Sequence, residues 1–319
     1  MNEPREICYQ GYGDVTMAPA LNIKGVAEYI CAKNLLLAHA KAYHIYNQEF
    51  KPKYGGVIGI TISSGWIEPE SEEHAEAANE AILFELGIYA HPIFSTAGDF
   101  PPIMKQKISA KSAAQGFYRS RLPEFTKDEI EMVRGSSDFF GLNHYTTHIA
   151  YKNESLQFSD KPSFYDDLGV ASYQLGEWPG SASSWLKSVP WGFYKLLTYI
   201  KDFYNDPNIL VTENGFSTFG GLEDDERITY YRQYLDALLD AIEDGANVTA
   251  YTAWSLMDNF EWMQGYTERF GLYEVDYTSP QRTRTPRKSA FVYKEIVRTR
   301  SLDHYYEPDT DVMTIEDGH

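Results

Sequence analysis

Apolar residues along the chain follow two spacings, one typical of helices and one typical of short buried strands. Residues 24–48 carry apolar side chains at helical spacing with few breakers, which predicts a long helix. Residues 56–62 are apolar and β-branched between glycine and serine, which predicts a buried strand. Similar patterns predict helices at 72–88, 190–204, 223–243 and 286–298, a helix opened by a capping box at 126–129, and strands at 138–143, 208–213 and 248–256.

Strands and helices alternate along most of the chain, which indicates an α/β fold with a parallel sheet. No repeat or linker divides residues 1–302, so we expect one domain there and a loose acidic tail over 303–319. Residues 144–190 are rich in serine, aromatic and turn-forming residues. We predict a long functional loop over this segment, because structureless loops of that length are uncommon elsewhere.

Composition narrows the classes of partner. The chain has 28 Lys and Arg against 46 Asp and Glu, a net charge of −18, so nucleic acid and anionic membranes would repel it. No apolar run reaches the roughly 18 residues that a membrane span needs. Aromatic residues make up 15% of the chain; most should be core, but the rest offer flat faces on which sugars stack. Cys8 and Cys31 could form one disulfide bond, but we expect two free thiols.

Several patterns resemble other functional sites but are incomplete. Gly11-Tyr12-Gly13 lacks a third glycine and follows no predicted strand, so it is not a dinucleotide-binding loop. His144 and His148 are four residues apart, but Tyr145 occupies the position of the glutamate in a zinc-binding helix, which disfavours a metal site. The chain contains no G-x-S-x-G turn, so serine esterase chemistry has no support.

Three glutamates stand where they could act on a sugar. Glu213 ends an apolar strand, and the carboxyl ends of parallel strands are where α/β barrels place their sites; a turn or cap carboxylate is the alternative. Glu261 lies between Trp254 and Trp262, where carboxylates accept hydroxyl hydrogens and indoles stack on sugar rings; a buried aromatic cluster with a paired glutamate is the alternative. Glu3 alone indicates little, but glycoside hydrolysis requires two carboxylates on one face.

Longer motifs occur in a fixed order from residue 1 to about residue 300. They are Asn2-Glu3-Pro4, Gly98-Asp99-Phe100-Pro101, Ser120-Arg121-Leu122-Pro123, Asp138-Phe139-Phe140-Gly141-Leu142-Asn143, Thr212-Glu213-Asn214-Gly215, Trp254 with Asp258-Asn259-Phe260-Glu261-Trp262, and Arg269-Phe270-Gly271-Leu272. Together they resemble glycoside hydrolase family 1, the retaining β-glucosidases, with a likeness to insect β-glucosidases and myrosinases. The resemblance implies a (β/α)8 TIM barrel.

The resemblance also implies a catalytic mechanism. Glu3 matches the family's acid/base and Glu213 its nucleophile, which forms a covalent glycosyl-enzyme. Tyr145 matches the tyrosine that donates a hydrogen bond to the nucleophile. Such a double displacement needs no metal and no cofactor. The acid/base position holds glutamine in plant myrosinases, so Glu3 argues against their ascorbate-assisted mechanism and leaves a glucosinolate substrate open.

Four further residues match positions that bind the sugar in the family. Asn2 corresponds to the residue that binds the 2-hydroxyl, and Glu261 to the residue that holds the 4- and 6-hydroxyls, with Trp254 and Trp262 beside it. The phospho-β-glucosidase branch carries serine in place of Glu261. Because a carboxylate would repel a phosphate, the resemblance favours a non-phosphorylated β-glycoside as the small-molecule substrate.

The chain departs from the family at its beginning. Asn-Glu-Pro ends the fourth barrel strand in the family but opens this chain, which implies only the C-terminal half to two-thirds of the barrel. The family's sugar-binding glutamine and histidine and the arginine beside its nucleophile would be absent. We expect an inactive or weakly folded chain, because an open sheet exposes its edges. The Met1 amino group near Glu3 should lower the pKa of that glutamate.

Two functions from different classes follow. One is a retaining β-glycosidase of carbohydrate metabolism; the other is a non-catalytic glycan-binding or interaction protein that uses half a barrel, with a homodimer pairing the open edges. Full-length animal relatives of the family are typically secreted or lumenal. The chain as written begins without a signal peptide, which predicts a cytosolic location.

Overall fold

A computed structural model describes residues 1–153 and 161–309. The strands are β1 (Ile60–Ser63), β2 (Trp66–Pro69), β3 (Phe140–Asn143), β4 (Thr147–Lys152), β5 (Val170–Tyr173), β6 (Ile209–Asn214), β7 (Val248–Ala253), β8 (Tyr273–Val275) and β9 (Arg284–Pro286). The α-helices are α1 (Pro4–Ile7), α2 (Ala27–Ile45), α3 (Lys51–Tyr54), α4 (Ala75–Ile82), α5 (Ile88–Phe94), α6 (Pro102–Ala114), α7 (Lys127–Val133), α8 (Phe164–Leu168), α9 (Pro190–Phe203), α10 (Asp225–Glu243) and α11 (Lys288–Thr299).

The main sheet is parallel and follows the order of the chain. Its strands β1, β3, β6 and β7 lie side by side in that order. The first residues of the chain extend the β1 edge, because Asn2 bridges in parallel to Thr61 and Glu3 donates its amide to the Thr61 carbonyl at 3.1 Å. Helices separate these segments, so the prediction of a parallel α/β sheet is confirmed. Within the described residues the sheet is an arc whose two edges do not pair with each other.

The arc buries its apolar residues against the helices. Its large apolar strand residues with no exposed surface are Ile60, Ile62, Phe140, Leu142, Ile209 and Val211. All four residues of β3 are buried, as expected for an inner strand that is covered on both faces. β7 lies at the edge and leaves Thr249 and Thr252 exposed, which marks the end of the arc.

The long loop predicted over 144–190 is wrong in part. That segment contributes β4, α8 and β5, and these strands form a second sheet in which β4 pairs in parallel with β2 and antiparallel with β5. The sequence pattern missed β4 because Thr147, His148 and Lys152 interrupt its apolar positions. Residues 154–160, within the same segment, lie outside the described part of the chain.

The helix predictions hold for α2, α9, α10 and α11, and the capping box at Thr126 and Glu129 opens α7 as predicted. The helix predicted at 72–88 continues to residue 94 through α4 and α5. The sequence pattern did not predict α6, because its lysines and small residues give no clear apolar spacing. The expectation of two free thiols is wrong, because Cys8 and Cys31 form a disulfide that joins the segment after α1 to α2.

The predicted tail is described as far as residue 309. His304 lies 3.2 Å from Asp236, Glu307 lies 2.8 Å from Lys288, and Arg232 donates to the carbonyl of Tyr306. These contacts hold residues 304–307 against α10 and α11, whereas 310–319 lie outside the described residues. Across the part of the chain that is described, no helix has both the length and the apolar character to cross a membrane.

Candidate active site

Two of the predicted glutamates lie at the carboxyl end of the main sheet. Glu213 is near the end of β6, and Glu3 lies beside the end of β1, just before the proline that begins α1. Asn143 is the last residue of β3, between the other two segments. Parallel strands bring these side chains together because all their carboxyl ends meet at one edge of the sheet.

Amide side chains link the two carboxylates. Asn2 donates from Nδ2 to Glu213 Oε1 at 3.1 Å, and Asn143 donates from Nδ2 to Glu3 Oε1 at 2.9 Å. Asn143 Nδ2 also lies 3.1 Å from Asn2 Oδ1, so one chain of hydrogen bonds runs between the glutamates. The Tyr145 hydroxyl donates to the other oxygen of Glu213, Oε2, at 2.7 Å. Glu213 therefore has a donor on each oxygen.

A buried layer supports this end of β6, and the sequence analysis missed most of it. Asn214 donates from Nδ2 to the His144 carbonyl at 2.7 Å and accepts from the Tyr251 hydroxyl at 2.7 Å. The hydroxyls of Tyr230 and Tyr234 on α10 donate to the Tyr145 carbonyl at 2.8 and 3.0 Å. These tyrosines stood in apolar helical positions, so the pattern indicated core and gave no sign of the polar contacts.

Gly215 completes the turn after Glu213. A Cβ on this residue would lie 1.8 Å from the Trp254 carbonyl oxygen, so no other residue fits without moving the backbone. The close approach brings the end of β6 against the end of β7. This contact explains why glycine follows the Glu-Asn pair.

The two glutamates differ in their electrostatic surroundings. Burial, and then the charge of Glu213, raise the pKa of Glu3 to about 7. The expected lowering of the Glu3 pKa by the Met1 amino group is therefore wrong, because burial and the neighbouring carboxylates Glu213, Glu6 and Glu261 raise that pKa. Burial also raises the pKa of Glu213, while hydrogen bonds from Tyr145 and Asn2 oppose that rise.

The third predicted carboxylate lies on the loop that follows β7. Glu261 Oε1 accepts from Trp254 Nε1 at 3.3 Å, and burial raises the pKa of Glu261. Trp262 is 57% exposed and begins a short 3-10 turn. The charge of Glu261 also raises the pKa of Glu3, which puts this loop within electrostatic reach of the paired carboxylates.

A further aromatic residue, Trp185, was missed. Its ring contacts the Tyr145 ring edge to face, with 5.6 Å between centroids, and nearly half of the indole is exposed. Trp185 lies in the segment 144–190, whose aromatic content was the only sequence signal for it. The ring can contact a ligand that lies over Tyr145.

His144 belongs to the scaffold, and His148 lies on β4. His144 Nδ1 lies 2.9 Å from the Ser64 carbonyl oxygen, and its ring stacks on Phe193 with 4.9 Å between centroids. Burial lowers the pKa of His144 to about 4, which keeps the ring neutral. Among the described residues, no three His, Cys, Asp or Glu side chains form a group that could hold a metal ion.

The fold and the site define an α/β-barrel protein with paired carboxylates at the strand ends. The family model for glycosyl hydrolase family 1 matches residues 1–302, so the chain belongs to that family. This family and the solved structures similar to the chain, which include a β-glucosidase, imply a (β/α)8 barrel fold.

Known relatives are similar over most of this chain. Human lactase/phlorizin hydrolase is 47% identical over 93% of the chain, which spans 16% of that protein. Myrosinase 1 of Brevicoryne brassicae is 41% identical over 93% of the chain, which spans 64% of it. The solved structure of aphid myrosinase has a TM-score of 0.86 and 41% identity, with 93% of this chain and 64% of that one covered. The chain thus spans less than two thirds of each of these relatives.

Proposed function

We propose that this chain carries the two catalytic carboxylates of a retaining β-glycosidase, with Glu213 as nucleophile and Glu3 as acid/base. The observation that carries the proposal is the asymmetry of the pair. Glu213 receives hydrogen bonds from Tyr145 and Asn2, which favour its ionised form, whereas the pKa of Glu3 is about 7. One carboxylate can then attack while the other still holds a proton.

In the first step, a Glu213 oxygen attacks the anomeric carbon of the sugar. Glu3 gives its proton to the glycosidic oxygen, the bond to the aglycone breaks, and the aglycone leaves as an alcohol. The product is a glycosyl ester on Glu213. We propose that the Asn2 amide, which donates to Glu213 Oε1, also binds the sugar 2-hydroxyl.

In the second step, Glu3 takes a proton from water as the water attacks the anomeric carbon and releases Glu213. Burial still raises the pKa of Glu3 at this stage, but esterified Glu213 carries no charge, so the contribution of its repulsion is lost. Its pKa then falls, which suits its new role as a base. The two carboxylates and one water account for every proton in the cycle.

We propose a free, non-phosphorylated sugar as the substrate. Glu261 and Trp254 supply a carboxylate and an indole at the edge of the site, a pair suited to hydroxyl groups and the apolar face of a sugar ring. The carboxylate would repel a phosphate. The names of the relatives include β-glucosidase, lactase/phlorizin hydrolase and myrosinase, so we propose an O-linked β-glucoside first and a thioglucoside as the comparison substrate.

The test is to trap the covalent intermediate. The full 319-residue chain is incubated with 2,4-dinitrophenyl 2-deoxy-2-fluoro-β-glucoside, which slows the second step, and its peptides are analysed by mass spectrometry. A fluoroglucosyl group on Glu213 is the expected result. Folded protein that binds 1-deoxynojirimycin without forming the adduct would instead favour the non-catalytic glycan-binding alternative. If the protein neither binds 1-deoxynojirimycin nor forms the adduct, both functions are contradicted.

We also propose that the chain passes through an oxidising compartment. The Cys8–Cys31 disulfide supports a secreted or lumenal location, because cytosolic thiols are normally kept reduced. Alkylation of protein from its native source, followed by mass spectrometry, should find both cysteines protected; free thiols would favour the cytosol. The homodimer stays a prediction, which analytical ultracentrifugation would test.

A further inference from the structure

The loop that carries Glu261 is exposed along most of its length. Leu256, Phe260 and Met263 are 61%, 57% and 70% exposed. Asp258 is an exception at 3%, and its carboxylate is fully buried. A buried charge in an exposed loop is costly unless it has partners, so its partners reveal how the loop is held.

The Asp258 carboxylate accepts hydrogen bonds from two arginines and two main-chain amides. Arg287 donates to both of its oxygens at 2.9 Å, and Arg269 donates to Oδ2 at 3.1 Å. The main-chain amides of Gly271 and Val275 donate to Oδ1 and Oδ2 at 3.0 and 3.3 Å. Such a two-point guanidinium contact fixes the orientation of the carboxylate as well as its position.

Arg287 is fixed independently of the loop. Its Nε donates to the Gly221 carbonyl at 2.9 Å, and its Nη1 also donates to the Gly271 carbonyl at 2.6 Å. Arg287 immediately precedes α11, and its side chain has no exposed surface. The arginine therefore connects Asp258 to the body of the protein.

Asp258 also marks a change in the main chain. Ser255 and Asp258 donate their amides to the carbonyls of Phe270 and Tyr273 at 3.1 and 3.0 Å, so the first part of the loop is paired. Beyond Asp258 the turn closes on itself, because Glu261 donates to the Gly265 carbonyl at 2.7 Å. Glu261 therefore lies on a turn that is closed by its own main-chain hydrogen bond, and Asp258 is the buried residue from which that turn extends.

We propose that Asp258, held by Arg287, is a positioning residue that sets where the Glu261 carboxylate meets the sugar hydroxyls. The inference rests on the proposed function and deepens it. It assigns glycone recognition to a buried ion pair that contacts no substrate. Sugar selectivity should then depend on Asp258 as it does on Glu261.

The experiment compares two substrates that differ in one hydroxyl group. Values of kcat/KM are measured for 4-nitrophenyl β-glucoside and its 6-deoxy analogue with the wild-type chain, Asp258→Asn, Glu261→Gln and the double variant. Asp258→Asn should lower kcat/KM for the glucoside about 10- to 100-fold, the range for a lost hydrogen bond to a charged group. The loss of kcat/KM for the 6-deoxy analogue should be much smaller. In the double variant, the preference for the 6-hydroxyl should fall no further than in Glu261→Gln.

Two further variants separate positioning from general loss of structure. Asp167→Asn breaks a comparable buried pair with Arg121, whose side chain is 1% exposed, outside the Glu261 loop. It should lower stability without changing the ratio between the two substrates. Arg287→Lys keeps the charge but loses the two-point contact, so its selectivity should be intermediate.

The outcomes distinguish this inference from the proposed function. If Asp258→Asn lowers kcat/KM equally for both substrates, the preference for the 6-hydroxyl is unchanged. Asp258 then does not act through Glu261, and the inference fails. If the wild-type chain forms no fluoroglucosyl adduct and hydrolyses neither substrate, the proposed function fails first. If Asp258→Asn does not fold, Arg287→Lys carries the same test.

Discussion

Glu213 and Glu3 have the same side chain but lie in different surroundings. Glu213 lies on β6, which is paired on both sides, and has a hydrogen-bond donor on each carboxylate oxygen. Glu3 is paired on one side only, through Thr61, and receives one donor, from Asn143. Burial raises the pKa of both. Hydrogen bonds from Tyr145, Asn2 and Asn143 oppose that rise at Glu213, whereas at Glu3 the charge of Glu213 adds to it and only Asn143 opposes it. Neighbouring charge and hydrogen-bond donors together therefore distinguish the two carboxylates.

Their backbones differ in the same direction. Glu213 has strand geometry, whereas Glu3 has φ 45° and ψ 56°, a left-handed conformation that side chains other than glycine adopt at a cost. The Pro4 ring directly after it begins α1. Glu3 is thus held in a less favourable state in both backbone and charge.

The largest effect should come from Glu213→Gln. An amide cannot attack the anomeric carbon, so turnover of an aryl β-glucoside should fall by roughly four to six orders of magnitude. Glu223→Gln, an exposed change on the loop before α10, is the matched control and should leave turnover near wild type. Substantial activity in Glu213→Gln would assign the nucleophile to another residue.

Glu3→Gln should have a smaller effect that depends on the leaving group. Loss of general acid catalysis should lower turnover of an alkyl β-glucoside by about 10²- to 10⁴-fold. A dinitrophenyl glucoside needs little protonation, so its first step should be affected much less. Pre-steady-state kinetics on both substrates would measure this difference, with exposed Glu73→Gln as control. Equal losses on the two substrates would remove Glu3 from the acid role.

Tyr145→Phe removes one donor from Glu213 and brings its surroundings closer to those of Glu3. Losing a hydrogen bond to a charged group should lower kcat/KM by about 10- to 100-fold and raise the pKa of the acidic limb of its pH profile. Tyr173→Phe is a matched control, because that hydroxyl donates to the exposed Glu70 at 2.9 Å. An unchanged acidic limb would mean that Tyr145 does not favour the ionised nucleophile.

Glu3→Gln should raise the stability of the fold although it lowers activity. The pKa of Glu3 is about 7 in the fold against a usual 4.5, so the native state holds a proton that the unfolded state releases. The resulting penalty is absent below about pH 4.5, grows as pH rises, and reaches on the order of 3 kcal/mol above pH 7. Glu3→Gln should therefore raise the midpoint of thermal unfolding more at pH 8 than at pH 4.5. An equal change at both values would contradict the raised pKa.

The sequence predicted the parallel sheet and brought Glu213 to its carboxyl end, because strand spacing and the Asn-Gly turn are local patterns. It did not predict the pKa of Glu3, since that depends on burial and on carboxylates distant in the sequence. Tyr230 and Tyr234 occupied core positions of a helix, so their bonds to the Tyr145 carbonyl left no trace in the pattern. The sequence favoured two free thiols because two cysteines form no disulfide framework, and only the packing of α2 brought Cys8 and Cys31 together.

The Cys8–Cys31 disulfide supplies the smallest expected effect on turnover, and it acts on one side of the comparison. Cys8 lies five residues after Glu3 and is tied to α2, whereas no disulfide reaches β6 among the described residues. Replacing both cysteines with alanine should lower stability by about 3–4 kcal/mol, as expected for a closed loop of this length. Any few-fold loss of turnover should appear with alkyl glucosides, which depend on Glu3, and not with dinitrophenyl glucosides. Calorimetry measures the change in stability, and turnover of the two substrates measures the change in activity. An equal loss of turnover with both substrates would show that the disulfide holds the whole site and not the acid/base segment alone.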